Sequence, residues 1–356
     1  MYVHRAIRRT RHGSAASLRP RVLFIAGSLN QTTQLHAVAR ELHECEARFT
    51  PYYGDLTVTA LRHLGLLEPT IGGNKRRGWC LDYLRDHQLQ VDLDGREGGY
   101  DLVVTCTDLQ VPRNIRNTRL VVVQEGILDP MGPVAEICRR VRWLPRWLAG
   151  TALTGQSRLF DRFCVASQGY KEYFVKYGIE ARRIAVTGIP NFDDCRRFAM
   201  NDFPHRGYVL VCTSDARETL KRDDRASFVR KALQIAAGRR LIVKLHPNEG
   251  PVRAEEIRTL APGALIYSSG SAEEMIANAD VVITQWSSTA FVALALGKEV
   301  FSHFPIDELR RLLPIQNGGR SAGNIARVCR EVLASNRPSP IAIPNPLRLV
   351  PIDATA

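Results

Sequence analysis

The sequence predicts an α/β protein built of two doubly wound parallel-sheet domains that face a central cleft. Three observations predict it. Short apolar runs recur along the chain between polar or helix-patterned segments, the series of runs starts again near residue 200, and 356 residues exceed a common domain size twice over. Buried strands alternating with helices are the pattern of a parallel sheet covered on both faces.

Taken in order, residues 1–20 carry Arg5, Arg8, Arg9, Arg11 and Arg19 without an apolar leader core, and read as a basic flexible tail. Residues 21–27 read as a buried strand, and Leu35, Val38 and Leu42 then recur at helical spacing. Further strands are expected at 102–105, 120–124, 163–166 and 184–187, which completes a first domain over 21–190. Residues 191–206 read as an interdomain linker. In the second domain, 207–335, strands are expected at 208–212, 241–245, 264–267, 281–284 and 300–302. Helices are expected there at 227–237, 272–277, 290–296 and 322–333, and 336–356 reads as a proline-rich tail. Both domains are therefore Rossmann-like, and the crevice between such halves is where ligands bind.

Composition narrows the class. Hydrophobic residues at 45% and charged residues at 24% are ordinary for a globular protein. The eight cysteines are dispersed and form no C-x-x-C pair, which points to a reducing, cytoplasmic setting and no zinc site. No run of eighteen apolar residues occurs, so no membrane-spanning helix is expected. A net charge of +13 attracts anions. With no nucleic-acid-binding signature in the chain, phosphorylated substrates and anionic membrane are the expected partners, not nucleic acid.

Five segments carry candidate chemistry. The loop holding Gly27, Ser28, Asn30, Gln31 and Thr32 joins a strand to a helix, so its N–H groups suit a phosphate or an acceptor; a plain turn capped by Thr32 or Thr33 is the alternative. Glu125 and Asp129 follow a buried strand, where a carboxylate can serve as a base, with Gly126 allowing close backbone approach. Asp108 is a weaker base candidate, and Glu125 paired with an arginine is the structural alternative. Lys244, His246, Asn248 and Glu249 sit around Pro247 at a strand end, where an imidazole can neutralise a departing phosphate. Ser287, Ser288 and Thr289 precede a helix and offer O–H and N–H groups to a phosphate, or simply cap it. Arg142, Trp143, Arg146 and Trp147 mix cations with indoles, a composition suited to an anionic bilayer surface. Asp92-Leu93-Asp94 has the letters of a metal motif without a preceding strand, and no metal is expected.

With these residues in view, the chain resembles, over roughly 21–335, the GT-B superfamily: two-Rossmann-domain glycosyltransferases together with the non-hydrolysing UDP-N-acetylglucosamine 2-epimerases. Lys244-Leu245-His246-Pro247 and Gln285-Trp286-Ser287-Ser288-Thr289 are similar to the HP and serine motifs of bacterial enzymes using CMP-sugars or CDP-glycerol. The resemblance implies that His246, Ser287, Ser288 and Thr289 hold a donor's nucleotide and phosphates. It also implies a CMP-, CDP- or UDP-linked donor as substrate, no tightly bound cofactor, and a surface glycan or glycolipid as acceptor. The expected setting is the cytoplasm and the inner face of its membrane. No acidic residue stands near Phe291, where many UDP-sugar enzymes have a ribose-binding glutamate. An epimerase-like isomerase is the second reading, because Gln124-Glu125-Gly126 is similar to that branch's strand-end glutamate. A non-catalytic nucleotide- or glycan-binding protein is the third.

Overall fold

The computed structural model describes residues 19–335 apart from 69, 142, 143, 145, 158 and 215–222. The basic residues 1–18, the proline-rich 336–356, and Arg142 and Trp143 of the proposed membrane surface lie outside the described residues. The first sheet holds six strands, β1 (Arg21–Ala26), β2 (Glu46–Pro51), β3 (Leu102–Thr105), β4 (Arg119–Val123), β5 (Arg162–Val165) and β6 (Ile184–Val186), in the order β2-β1-β3-β4-β5-β6. The second holds β7 (Val209–Cys212), β8 (Leu241–Lys244), β9 (Leu265–Tyr267), β10 (Val281–Thr284) and β11 (Glu299–Phe301), in the order β11-β10-β7-β8-β9. Every pairing in both sheets is parallel.

The helices are α1 (Leu29–Glu41), α2 (Leu56–His63), α3 (Asn74–Asp86), α4 (Pro133–Arg140), α5 (Gln168–Lys176), α6 (Arg225–Ala236), α7 (Pro251–Leu260), α8 (Ala272–Asn278), α9 (Thr289–Ala295), α10 (Ile306–Leu312) and α11 (Ser321–Ala334). Successive strand residues point to opposite faces, and both faces are buried. On β1, Val22, Phe24 and Ala26 join one core with α1, α3 and α11, whereas Leu23 and Ile25 join another that includes Tyr170 and Phe174 of α5.

That second core runs without a break into the other domain. Tyr170 of α5 and Phe192 meet Phe291 of α9 edge to face, each with ring centroids 6.4 Å apart. The segment expected as a linker contains the short turns Pro190–Phe192 and Cys195–Ala199, with Phe192 and Cys195 buried. Helix α11, expected with the second domain, instead covers the first sheet. Its Ile325, Ala326, Cys329 and Val332 pack with Val104, Val121, Val123 and Cys164. At Gly188, φ is +75° and a Cβ would lie 2.2 Å from Ser321 Oγ, so only glycine admits this return of the chain.

Among the described strands, β2 is the one the periodicity does not predict. Its residues Glu46-Ala47-Arg48-Phe49-Thr50-Pro51 are too polar, and it ends in proline. It lies at the sheet edge, pairing with β1 on one side and bridged only at Phe49 to the segment at Val91 on the other, which is where such a sequence is tolerated.

Candidate functional site

The strand order reverses in each sheet, between β1 and β3 in the first and between β7 and β10 in the second. Ligands in open α/β sheets bind outside the carboxyl ends of the strands at such points. At the first of them, Ser28 leaves β1 in extended conformation and caps α1, accepting from Gln31 N–H at 3.2 Å. The cap is thus Ser28, not Thr32 or Thr33. Thr32 is fully buried, its hydroxyl donating to Ser28 O at 2.8 Å, and it does not reach the cleft.

Glu125 follows β4 and is turned toward the same helix start. Ser28 Oγ donates to Glu125 Oε1 and Gln31 Nε2 donates to Oε2, both at 2.6 Å. These are the short distances of charge-assisted bonds. Its described partners are neutral donors, so no arginine neutralises it there. Buried Gln124 fixes the backbone on either side: Oε1 accepts from Ala166 N–H, Nε2 donates to Gly126 O, and its carbonyl accepts from Gln34. Behind the carboxylate, burial first and Glu125 second push the Cys106 thiol well above its usual pKa. It stays a neutral thiol and no nucleophile.

Glu125 borders a cavity of about 460 Å³ that Asn30, Gln31, Gly126, Asp129, Trp147 and Ser288 also line. Ser288 comes from the second domain. Its hydroxyl accepts from Ile127 N–H at 3.1 Å, and it passes so close over Gly126 that a Cβ there would meet Ser288 Oγ at 2.7 Å. Ser288 therefore clasps the two domains. Ser287 and Thr289 bond each other, with Oγ to Oγ1 at 2.9 Å.

Asp129 accepts from the Thr151 hydroxyl at 2.9 Å and its own N–H donates back to that hydroxyl, fixing the neighbouring turn. Asp108 is buried and accepts from Gly155 and Ser157 N–H groups at 2.6 and 2.8 Å. Both carboxylates hold loops. Arg146 is turned inward to Leu153 O, while Trp147 is 44% exposed at the cavity.

The second domain's candidates gather where β7, β8 and β10 end. The His246 N–H is held by Thr213 Oγ1 at 3.0 Å and Glu249 Oε2 at 2.9 Å. Nδ1 accepts from Asn248 N–H at 3.2 Å, so the proton of the neutral ring sits on Nε2. Glu249 is buried, accepts from the Thr213 hydroxyl, and pairs with Arg225 at 2.8 Å. Arg225, 1% exposed, also pairs with Asp223 at 3.0 Å, and Asp223 accepts from Gln285, which bonds Ser214. Lys244 adjoins this network through its carbonyl, which accepts from Thr213 N–H at 3.1 Å, while its buried Nζ donates to Leu245 O at 2.9 Å. Desolvation lowers its pKa below 10.5.

The structure thus brings Glu125, Gln31, Asn30 and Ser288 to one cavity, with Ser28 bonded to Glu125 but outside the lining. His246, Asn248 and Glu249 form a second group outside its lining. Thr213, Ser214, Asp223, Arg225 and Gln285 were not among the expected site residues. Thr213 and Ser214 could have been found, since they follow a strand as His246 and Ser287 do. Nothing in the local sequence marks Arg225. Asp92 is tied to the Arg96 and Glu97 N–H groups and Asp94 to Arg77, a structural turn. Among the described residues no group of three metal-ligating side chains comes together, and no helix is long and apolar enough to cross a membrane.

No family model matches the chain, and no curated protein sequence does. Solved structures do. The UDP-GlcNAc 2-epimerase of Methanocaldococcus jannaschii, in complex with UDP-GlcNAc and UDP, has a TM-score of 0.54 at 13% identity, over 87% of this chain and 99% of that one. The UDP-N-acetylglucosamine 2-epimerase of Rickettsia bellii has 0.52 at 11% identity, over 88% and 96%. A variant of the wall teichoic acid polymerase TagF has 0.51 at 10%, over 88% and 89%. Two parallel-sheet α/β domains, each with a strand-order reversal opening on a shared cleft, and likeness over almost nine-tenths of the chain to proteins of that architecture make this a protein of the GT-B-type fold.

Proposed function

We propose that the protein is a nucleotide-sugar-dependent glycosyltransferase that moves a sugar, or a polyol phosphate, from a CMP-, CDP- or UDP-linked donor to an acceptor hydroxyl. The observation that carries this reading is Glu125. It is a carboxylate bonded by two neutral donors on the wall of a cavity large enough for a substrate. Two donors leave further lone pairs on the oxygens, so Glu125 can accept the acceptor's proton as its oxygen attacks. The bond from the transferred group to the nucleotide phosphate breaks, and the nucleotide leaves with the electron pair. His246 Nε2–H, held by Asn248, is suited to donate to that phosphate. The Ser287 and Thr289 hydroxyls are candidate donor contacts, and Ser288 ties the acceptor side to the donor side.

Two substitutions test the division of labour. Glu125→Gln is expected to cut transfer by about 10²–10⁴ while nucleotide binding, read as a thermal shift with CMP, CDP and UDP, stays as in the wild type. His246→Ala is expected to weaken nucleotide binding at least about tenfold, the loss of one hydrogen bond to a charged group. If no nucleotide raises the melting temperature at millimolar concentration, the donor site is wrongly assigned.

An epimerase-like isomerase is the second reading, supported by Glu125 at a strand end and by the likeness to two epimerase structures. It needs no acceptor: interconversion of two UDP-sugars by the protein alone would replace the first reading. Nucleotide binding with no product under either regime would favour a binding protein.

A further inference from the structure

The cavity beside Glu125 has two kinds of wall. One carries the polar groups already described. The other is formed by Val58 and Leu61 of α2, by Leu67, Ile71 and Leu109, and by Trp147. On the polar side Gln31 bonds Glu125, Asp129 bonds Thr151 and Ser288 accepts from Ile127 N–H, and Asn30, Arg76 and Gln110 also face the cavity, so a hydroxyl-bearing head finds its partners there. A free sugar chain lying along the apolar wall instead would bury hydroxyl groups without partners, which is unfavourable. An apolar group meets no such cost, and gains from leaving water.

The apolar character continues past the lining. Leu66, next to Leu67, is 63% exposed, Leu64 is 71% exposed, and Leu148, next to Trp147, is 48% exposed. Buried core does not explain such residues on both segments. A single exposed leucine is unremarkable, but several beside an apolar cavity mark a surface that meets an apolar partner.

We infer that the acceptor is an amphiphile: its hydroxyl-bearing head meets Glu125, and an apolar chain joined to that head lies against Val58, Leu61, Leu67 and Trp147. This inference rests on Glu125 as the acceptor-side base and adds the chemical class of the acceptor. A cavity of about 460 Å³ accommodates a head with a short chain segment, and the exposed leucines cover what extends beyond.

Calorimetric titration of the full chain with methyl, butyl, hexyl and octyl β-D-glucoside, each below its micelle concentration, tests this directly. Affinity is expected to rise by about fourfold for each methylene that leaves water, until the cavity is filled. Val58→Trp, which places an indole in the cavity, is expected to abolish that dependence. Leu61→Gln, at a half-exposed position that tolerates a polar side chain, is expected to flatten it even if Val58→Trp does not fold. Affinity independent of chain length overturns the inference. So does a dependence that survives both substitutions, because the chains would then be adhering elsewhere. Glu125→Gln separates this from the function itself. If that variant keeps full transferase activity, the base assignment fails while the chain-length dependence stands; if the dependence is absent, the base assignment is untouched.

Discussion

Lys244 carries its amine where only 5% of the residue meets solvent, and burial holds its pKa below the usual 10.5. An anion arriving nearby favours the charged form, so binding of a nucleoside diphosphate raises that lowered pKa and draws in a proton. The sign is therefore uptake. Calorimetry at about pH 9.5 in buffers of different ionisation enthalpy is expected to show it, and Lys244→Met to remove it. Heats that do not vary with buffer would place Lys244 away from the donor. The lysine was legible in the sequence as a strand-end cation, and so was Glu125. Their surroundings were not. Which oxygen of Glu125 takes which donor depends on Ser28 and Gln31, nearly a hundred residues away, and no local pattern encodes that approach.

At the level of elements, β7, β8 and β10 are joined beyond their ends by one buried polar network. Arg225 opens α6 and pairs with Glu249 after β8 and with Asp223, which Gln285 after β10 also contacts. Glu249 in turn holds the N–H of His246. Arg225→Met would take from the buried Asp223 and Glu249 carboxylates the cation they share. It is expected to cost about 3–5 kcal/mol in urea unfolding, and nucleotide binding should weaken with it because the His246 loop loses its anchor. A variant as stable as the wild type would show that Arg225 does not anchor the His246 loop. Continuous apolar runs made ten of the eleven described strands readable to within a residue or so, because parallel strands buried on both faces leave that signal. β2 escaped it as a polar edge strand. Arg225 escaped for a different reason: an arginine at a helix start is ordinarily solvated, and only the fold closes two carboxylates around it.

The whole molecule is less divisible than two repeats of one architecture suggest. An apolar core runs from Leu23 and Phe163 in the first domain through Phe192 to Phe291 and Tyr208 in the second. Ser167 Oγ donates to Leu312 O at 3.0 Å, Ile315 N–H to Ala166 O at 3.0 Å, and Ser288 clasps the cleft between the domains. Differential scanning calorimetry is expected to show one unfolding transition whose van't Hoff and calorimetric enthalpies agree. Two resolved transitions would show the interface to be weaker than its packing. Helix α11 extends this to the timing of synthesis. The first sheet is complete by Val186, yet the helix that covers its face against Val104 and Val121 begins only at Ser321. At roughly 5–20 residues per second, that face waits about seven to thirty seconds on the ribosome before its cover emerges. The domain made first is the last to be closed, and through that interval an unfinished apolar surface is open to chaperones or to aggregation.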